Sequence, residues 1–149
     1  MGKLKQMPIL MDTFIEWFEG HWSNQTQVFN DPKSASLVRV VHERTFENQF
    51  RCAYYIHKSR SAYRDMTFDL HYNDTDIHLT SGASKLIFSV VHGGFVCNTQ
   101  QTIEGRTYIF KAYLRENYYR VNDQCFDAAG GLLRGLEHDA DFEFEKVRF

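Results

Sequence analysis

Apolar and polar residues alternate along most of this chain, and the period of two begins abruptly after Gly20. Ahead of that point, "DTFIEWFEG" sets Phe14, Ile15, Trp17 and Phe18 on a helical stripe. Thr13 followed three residues later by Glu16 makes a capping box and Gly20 a stop, so the pattern predicts a short helix over residues 12–19. Two consecutive apolar pairs suit a helix that plugs or leans on a sheet. The alternation then predicts strands over residues 22–29, 35–43, 49–57, 62–72, 76–79, 85–91, 95–101, 106–115, 117–126 and 141–149. Turn residues separate them: "NDP" at Asn30 to Pro32, "NDTD" at Asn73 to Asp76, "HGG" at His92 to Gly94, Glu104-Gly105, and "AAGG" near Gly130. An open meander of about ten short strands would curl, and closure removes its edges, so the expected fold is an all-β antiparallel barrel with a short N-terminal helix. It fills one domain, residues 1–149, with no repeat or linker.

Two polar residues break the apolar face of their strands. In "AYRDMTFDLHY" the residues Ala62, Met66, Phe68, Leu70 and Tyr72 share a face, and Arg64 stands among them. Inside a ligand-binding barrel a guanidinium is tolerable when it meets a carboxylate or phosphate of the ligand; at the start of a strand it can instead snorkel over the rim. In "YYRVNDQCFD" an inward Tyr119, Val121 and Cys125 would bring Asp123 inside with them, and Asp127 follows at the next turn. A buried carboxylate needs donors, which ring N–H groups of a ligand would supply; turn residues bonding their own backbone are the other reading, above all for Asp127.

Composition narrows the field. Aromatic residues make up 15% of the chain, with 13 Phe and 8 Tyr against 2 Pro, which suits packed strands and excludes a disordered chain. The net charge of −2 arises from interspersed signs, and no basic stripe offers a nucleic-acid surface. No segment reaches the ~20 apolar residues of a membrane-spanning helix. "MGKLKQMPILMD" reads as no signal peptide, and Cys52, Cys97 and Cys125 are few and widely spaced, so a cytoplasmic protein with reduced thiols is expected. The seven His are scattered. His71 and His78 could meet across a hairpin, but two ligands make a poor centre, and no metal is expected. Cys97 lies mid-strand, where an inert buried thiol is the ordinary outcome and a nucleophile paired with His92 the rarer one. No Ser-His-Asp triad, dinucleotide loop or phosphate loop is recognisable.

"EGHWSNQTQ", Glu19 to Gln27, resembles the opening signature of the T-type phycobiliprotein lyases: a short helix, Gly, an aromatic, Ser-Asn, and a Gln three residues on. Further landmarks follow in the family's order. "NDP" precedes the second strand, "AYR" at Ala62 to Arg64 resembles Pro-Tyr-Arg, "VCNTQQTIEGRTYIF" resembles a Cys strand leading to Thr-Tyr, and "VNDQCFD" resembles the acidic segment. The resemblance runs from Thr13 to Phe149. It implies a calycin, lipocalin-like barrel that binds a phycobilin, phycoerythrobilin or phycocyanobilin, as substrate and hands it to a cysteine of a phycobiliprotein β-subunit. Under that resemblance Arg64 pairs with a bilin propionate, Tyr63 and Tyr108 shape the pocket, and Asp123 accepts hydrogen bonds from pyrrole N–H groups and handles the proton. Glu104 and Asp127 are further candidate acids. Asn24 and Gln27 bond the terminal lactams or tie the helix to the first strand.

The chain departs from that pattern where Ala62 replaces Pro, where "AYYIH" stands in place of Glu-Gln, and where Arg134-Gly135 stands in place of Trp-Gly. Binding residues are better kept than transfer residues, so a bilin carrier or chaperone that does not ligate the chromophore is the alternative to a lyase. An S-type lyase would carry Ser-Gln-Arg where this chain has "SNQTQ", and a fatty-acid carrier would not explain the ordered landmarks. Pairing of two copies stays open.

Overall fold

In the computed structural model, which describes residues 2–73, 76–136 and 141–148, helix α1 (Gly2–Phe18) leads into strand β1 (Gly20–Ser23) and a second, short helix α2 (Gln25–Asn30). Strands β2 (Val38–Phe46), β3 (Gln49–Ile56), β4 (Arg64–Asn73), β5 (Asp76–Ser81), β6 (Ser84–Val91), β7 (Gly94–Ile103), β8 (Arg106–Arg115) and β9 (Tyr118–Phe126) follow as an antiparallel meander. A three-residue strand β10 (Leu132–Arg134) and the last strand β11 (Phe142–Val147) complete the sheet. β9 pairs with β8 on one side; on the other, its first half pairs with β11 and its second half with β10. β11 in turn pairs with β1, so ten strands close into a ring and β10 seals the stretch of β9 that β11 leaves uncovered. Closure gives every ring strand a hydrogen-bonded neighbour on both sides.

Three sequence expectations are corrected. The helix starts ten residues earlier than residue 12, because the apolar spacing of Leu4, Met7, Met11 and Phe14 carries the helical repeat upstream of the local capping box. The strand expected over residues 22–29 stops at Ser23, and Phe29 is 84% exposed on α2. The reason is Asn24, where the chain turns: the Ser23 hydroxyl accepts the Gln25 amide at 3.1 Å and Val28 N–H bonds the Asn24 carbonyl at 3.0 Å. β10 is too short for periodicity to reveal. Residues 74 and 75 of the expected "NDTD" turn, and Phe149 of the expected last strand, lie outside the described residues.

The period of two decides which residues enter the barrel: Val40, Phe50, Cys52, Phe68, Leu70, Ile77, Leu79, Phe88, Cys97, Leu114, Tyr119, Val121 and Phe144 are buried together. α1 closes one end. Phe14 packs on Phe88 and Phe95 at 5.1 and 5.3 Å between ring centroids, and Phe18 on Phe50 at 5.2 Å. Burying two phenylalanine side chains contributes about 1.5–3 kcal/mol each. The helix end is tied down by side chains from the ring. Trp22 Nε1 donates to the Phe18 carbonyl at 3.1 Å, His42 Nδ1 to the same oxygen at 2.8 Å, and Lys146 Nζ to the Glu16 carbonyl at 3.0 Å. Those carbonyls are the ones a helix C-terminus leaves without intrahelical partners. Among the described residues no helix is long and apolar enough to cross a membrane.

Candidate functional site

The end opposite α1 holds the charged residues. Arg64 is the first residue of β4 and keeps the inward parity of Met66, Phe68 and Leu70; Asp123 lies on β9 with the inward parity of Tyr119, Val121 and Cys125. β4 and β9 are five strands apart in either direction around the ten-strand ring, so their inward residues face each other across the barrel. Arg64 Nη1 reaches over and hydrogen-bonds Asp123 Oδ2, forming an ion-pair crossbar with both side chains mostly buried. The guanidinium carbon also sits 5.4 Å from the Tyr54 ring centroid. Burial opposes the charge on Arg64, but Asp123 and Tyr54 outweigh it, and its pKa is raised above the free value.

A second guanidinium joins from β10: Arg134 Nη2 lies 3.2 Å from Asp123 Oδ1, and its Cζ 5.9 Å from the Tyr108 ring centroid. The adjoining Gly135 has φ +106° and lies so close to β9 that a Cβ there would come 2.5 Å from the Asp123 carbonyl oxygen. Only glycine permits that approach. Two small cavities of about 40 and 50 Å³ adjoin the cluster and share Tyr54, Asp123 and Arg134 as walls, with Arg64 lining the first. Met66, Leu86, Tyr108 and Phe110 line one; Val38, Tyr63, Val121 and Phe142 line the other. A water occupies roughly 10–15 Å³ on this measure, so each chamber holds a few waters and no large ligand while the crossbar is closed.

Of the remaining candidates, Tyr63 stands at the edge of the second chamber, and Glu104, Asp127, Asn24 and Gln27 fall elsewhere. Tyr63 is 47% exposed on the rim, edge-on to Tyr54 at 6.1 Å, and the partial burial of its hydroxyl raises the pKa of that group. Tyr54 is pushed higher still by burial, which keeps it a neutral hydroxyl. Glu104 is exposed in the β7–β8 turn, where it and Gly105 both have positive φ. Asp127 closes the turn before β10, its Oδ1 accepting the Ala129 and Gly131 amides at 2.9 and 2.8 Å. Asn24 and Gln27 line neither chamber. Fully buried Asn24 donates to the Ser36 carbonyl at 2.8 Å and accepts from Val38 N–H at 2.7 Å; Gln27 donates to the Asp141 carbonyl at 2.8 Å and accepts from Glu143 N–H at 3.0 Å. They tie α2 to β2 and β11. Asn24→Ala strands two backbone groups and should cost about 2 kcal/mol, read as a lower urea midpoint with unchanged slope.

Sequence reasoning marks Arg134 as a departure without giving it a role, and leaves Tyr54 out. The signal for Arg134 is the departure itself, a cation beside a glycine where an aromatic is expected. His71 and His78 do meet across β4 and β5, with rings 5.1 Å apart, yet among the described residues no group of three His, Cys, Asp or Glu gathers. Burial raises the Cys52 and Cys97 pKa values, and Cys97 Sγ bonds Thr99 Oγ1 at 3.3 Å, so both stay thiols.

A closed ten-strand antiparallel barrel, plugged by a helix at one end and polar within the other, belongs to the lipocalin-like architecture. The chain superposes on the structure of the T-type phycobiliprotein lyase CpeT from Prochlorococcus phage P-HM1 with TM-score 0.79 and 23% identity, covering 93% of this chain and 98% of that one. It also superposes on the CRL protein of Arabidopsis with TM-score 0.71 and 9% identity, over 96% of this chain and 98% of that one. At these identities the likeness is one of fold, and the fold is the one that the sequence resemblance implies. No family model matches the chain, and no curated protein matches it in sequence.

Proposed function

We propose that this barrel binds a linear tetrapyrrole and presents it to a cysteine of a phycobiliprotein β-subunit. The crossbar is the observation that carries the reading. Arg64 and Asp123 pair across the barrel, with Arg134 on the other oxygen of Asp123, so a ligand that enters between them must bring an anion for Arg64 and a hydrogen-bond donor for the Asp123 oxygen that Arg64 gives up, or leave those buried groups unsatisfied. A fatty acid offers a carboxylate for Arg64 and nothing for Asp123. A bilin offers both: a propionate for the guanidinium and a row of pyrrole N–H donors for the carboxylate. The fold shared with a T-type lyase supports the same reading.

In the transfer step the acceptor thiol adds across the exocyclic ethylidene double bond. The sulfur bonds the ethylidene carbon, the displaced π-electrons protonate at the ring, and no group leaves. Asp123, hydrogen-bonded to the pyrrole nitrogens, would hold the chromophore protonated and electrophilic. Orientation supplies most of the selectivity for one cysteine.

A carrier that binds without transferring is the second reading. It is favoured by the commitment of Asp127 to its turn and the exposure of Glu104, which leave Asp123 as the one of the three candidate acids that lies inside.

Mixing the protein with phycoerythrobilin and with phycocyanobilin should give a red-shifted, sharpened absorption band with at least one of them. Absence of any spectral change with both would sink the bilin reading. A fluorescent β-subunit band on a denaturing gel, above the spontaneous control, then marks a lyase and its absence a carrier. Arg64→Ala should weaken bilin binding at least about tenfold, the worth of one charge-assisted contact. Unchanged affinity would place the propionate elsewhere.

A further inference from the structure

Among the described residues the ion cluster is unbalanced: Arg64 and Arg134 both face Asp123, two cations against one anion in a partly buried site. Arg134 uses one nitrogen, Nη2, on Asp123, while its Nε–H is buried and has no acceptor among the described residues. A buried guanidinium N–H without an acceptor is costly, and the residue that carries it lines both chambers. Gly135 fixes this position by letting β10 lie directly on the backbone of Asp123.

From this geometry we propose that Arg134 is a second acid-binding, specificity-determining residue, seating the second carboxylate of a dicarboxylate ligand while Arg64 seats the first. The inference rests on the bilin reading and deepens it. When a ligand's N–H groups draw Asp123 away, both guanidiniums lose their partner together, and one carboxylate would leave a cation behind. Two restore neutrality at each. The cluster then selects for ligands carrying two acid groups at a separation that matches the two guanidiniums, and against singly acidic or esterified ones. The Tyr108 ring, its centroid 5.9 Å from the Arg134 guanidinium carbon, lines the first chamber beside that group.

The test compares phycoerythrobilin and phycocyanobilin, each as free diacid and as dimethyl ester, by absorption titration on the wild type, Arg134→Gln and Arg134→Lys. Arg134→Gln should weaken the diacid about tenfold, the fold-change of one charge-assisted hydrogen bond, and leave the ester's affinity where it was. Arg134→Lys should restore most of the diacid's affinity. Equal losses for diacid and ester would make Arg134 a structural residue, and no loss for either would remove it from the site; both outcomes overturn this inference and leave the bilin reading intact. Failure of every pigment to bind the wild type takes down the bilin reading and this inference with it.

Discussion

Asp123→Asn should destabilise the barrel by about 3 kcal/mol, the cost of breaking a partly buried ion pair, and lower its melting temperature by roughly 10 °C. The magnitude follows from what is left behind. The amide would keep a carbonyl oxygen for one hydrogen bond but would leave Arg64 and Arg134 as two unpaired cations facing each other, where Arg64 is the less able to reach water. Arg134→Gln should cost far less, because the Arg64–Asp123 pair survives it. Circular-dichroism melts of the two variants measure the difference directly, and equal melting temperatures would mean that Asp123 does not hold the cluster together. The double change Arg64→Met with Asp123→Leu sharpens the point. Apolar residues of similar size often match or exceed the stability of a buried ionic cluster, so this double variant with Arg134→Met added, which leaves no cation of the cluster behind, should recover much of what Asp123→Asn loses while binding no bilin. A crossbar that can be replaced without loss of stability, but not without loss of binding, is kept for the ligand.

Why Arg64 and Asp123 are legible one at a time but not as a pair is a matter of range. Strand parity is local, and from the sequence it puts each side chain on the apolar face of its strand, with the rim left open for Arg64. Their meeting depends on the number of strands in the closed ring and on β11, not β10, completing it; ten strands set β4 opposite β9, and no local pattern carries that count. The same limit explains Asn24 and Gln27. Their place in the opening motif allows either a ligand contact or a tie, and their partners, Ser36, Val38, Asp141 and Glu143, come from distant parts of the chain. Asp127 is readable as a turn residue because an Asx turn is built from its own neighbours. β10 escapes because three residues are too few for a period, and the long α1 because a local capping signal competes with a weaker but longer apolar repeat.

At the plugged end the decisive residue is His42, which should make the protein acid-labile well above the range where carboxylates titrate. It is fully buried, stacked on Phe18 at 3.8 Å, edge-on to Tyr119 at 5.5 Å, and its Nδ1–H is spent on the Phe18 carbonyl, leaving Nε2 as a lone-pair nitrogen with no donor among the described residues. Burial, opposed by the Phe18 hydrogen bond and helped by Lys146, lowers its pKa to about 3. The unfolded chain has an ordinary imidazole with pKa near 6.5. Below that value the unfolded state binds a proton that the folded state refuses, so stability is fully present above about pH 7 and lost as pH falls toward 3. At pH 5 the loss from this one group is about 2 kcal/mol, rising to about 4 kcal/mol near pH 3.5. His78, whose pKa is also lowered by burial, adds a smaller loss of the same sign. Urea unfolding at about pH 7.5 and about pH 5 reads the difference. His42→Gln keeps a donor for the Phe18 carbonyl and cannot titrate, so it should start less stable at the higher pH but lose much less between the two. An undiminished loss in that variant would show that the acid sensitivity lies elsewhere. With the proton placed on Nε2, the stack of Phe18 on His42 would bury a charge, and the bond that ties the end of α1 to the ring is the first that relaxation would break, so loss of α1 docking, followed by Trp17 and Trp22 fluorescence, should precede loss of the sheet signal as pH falls.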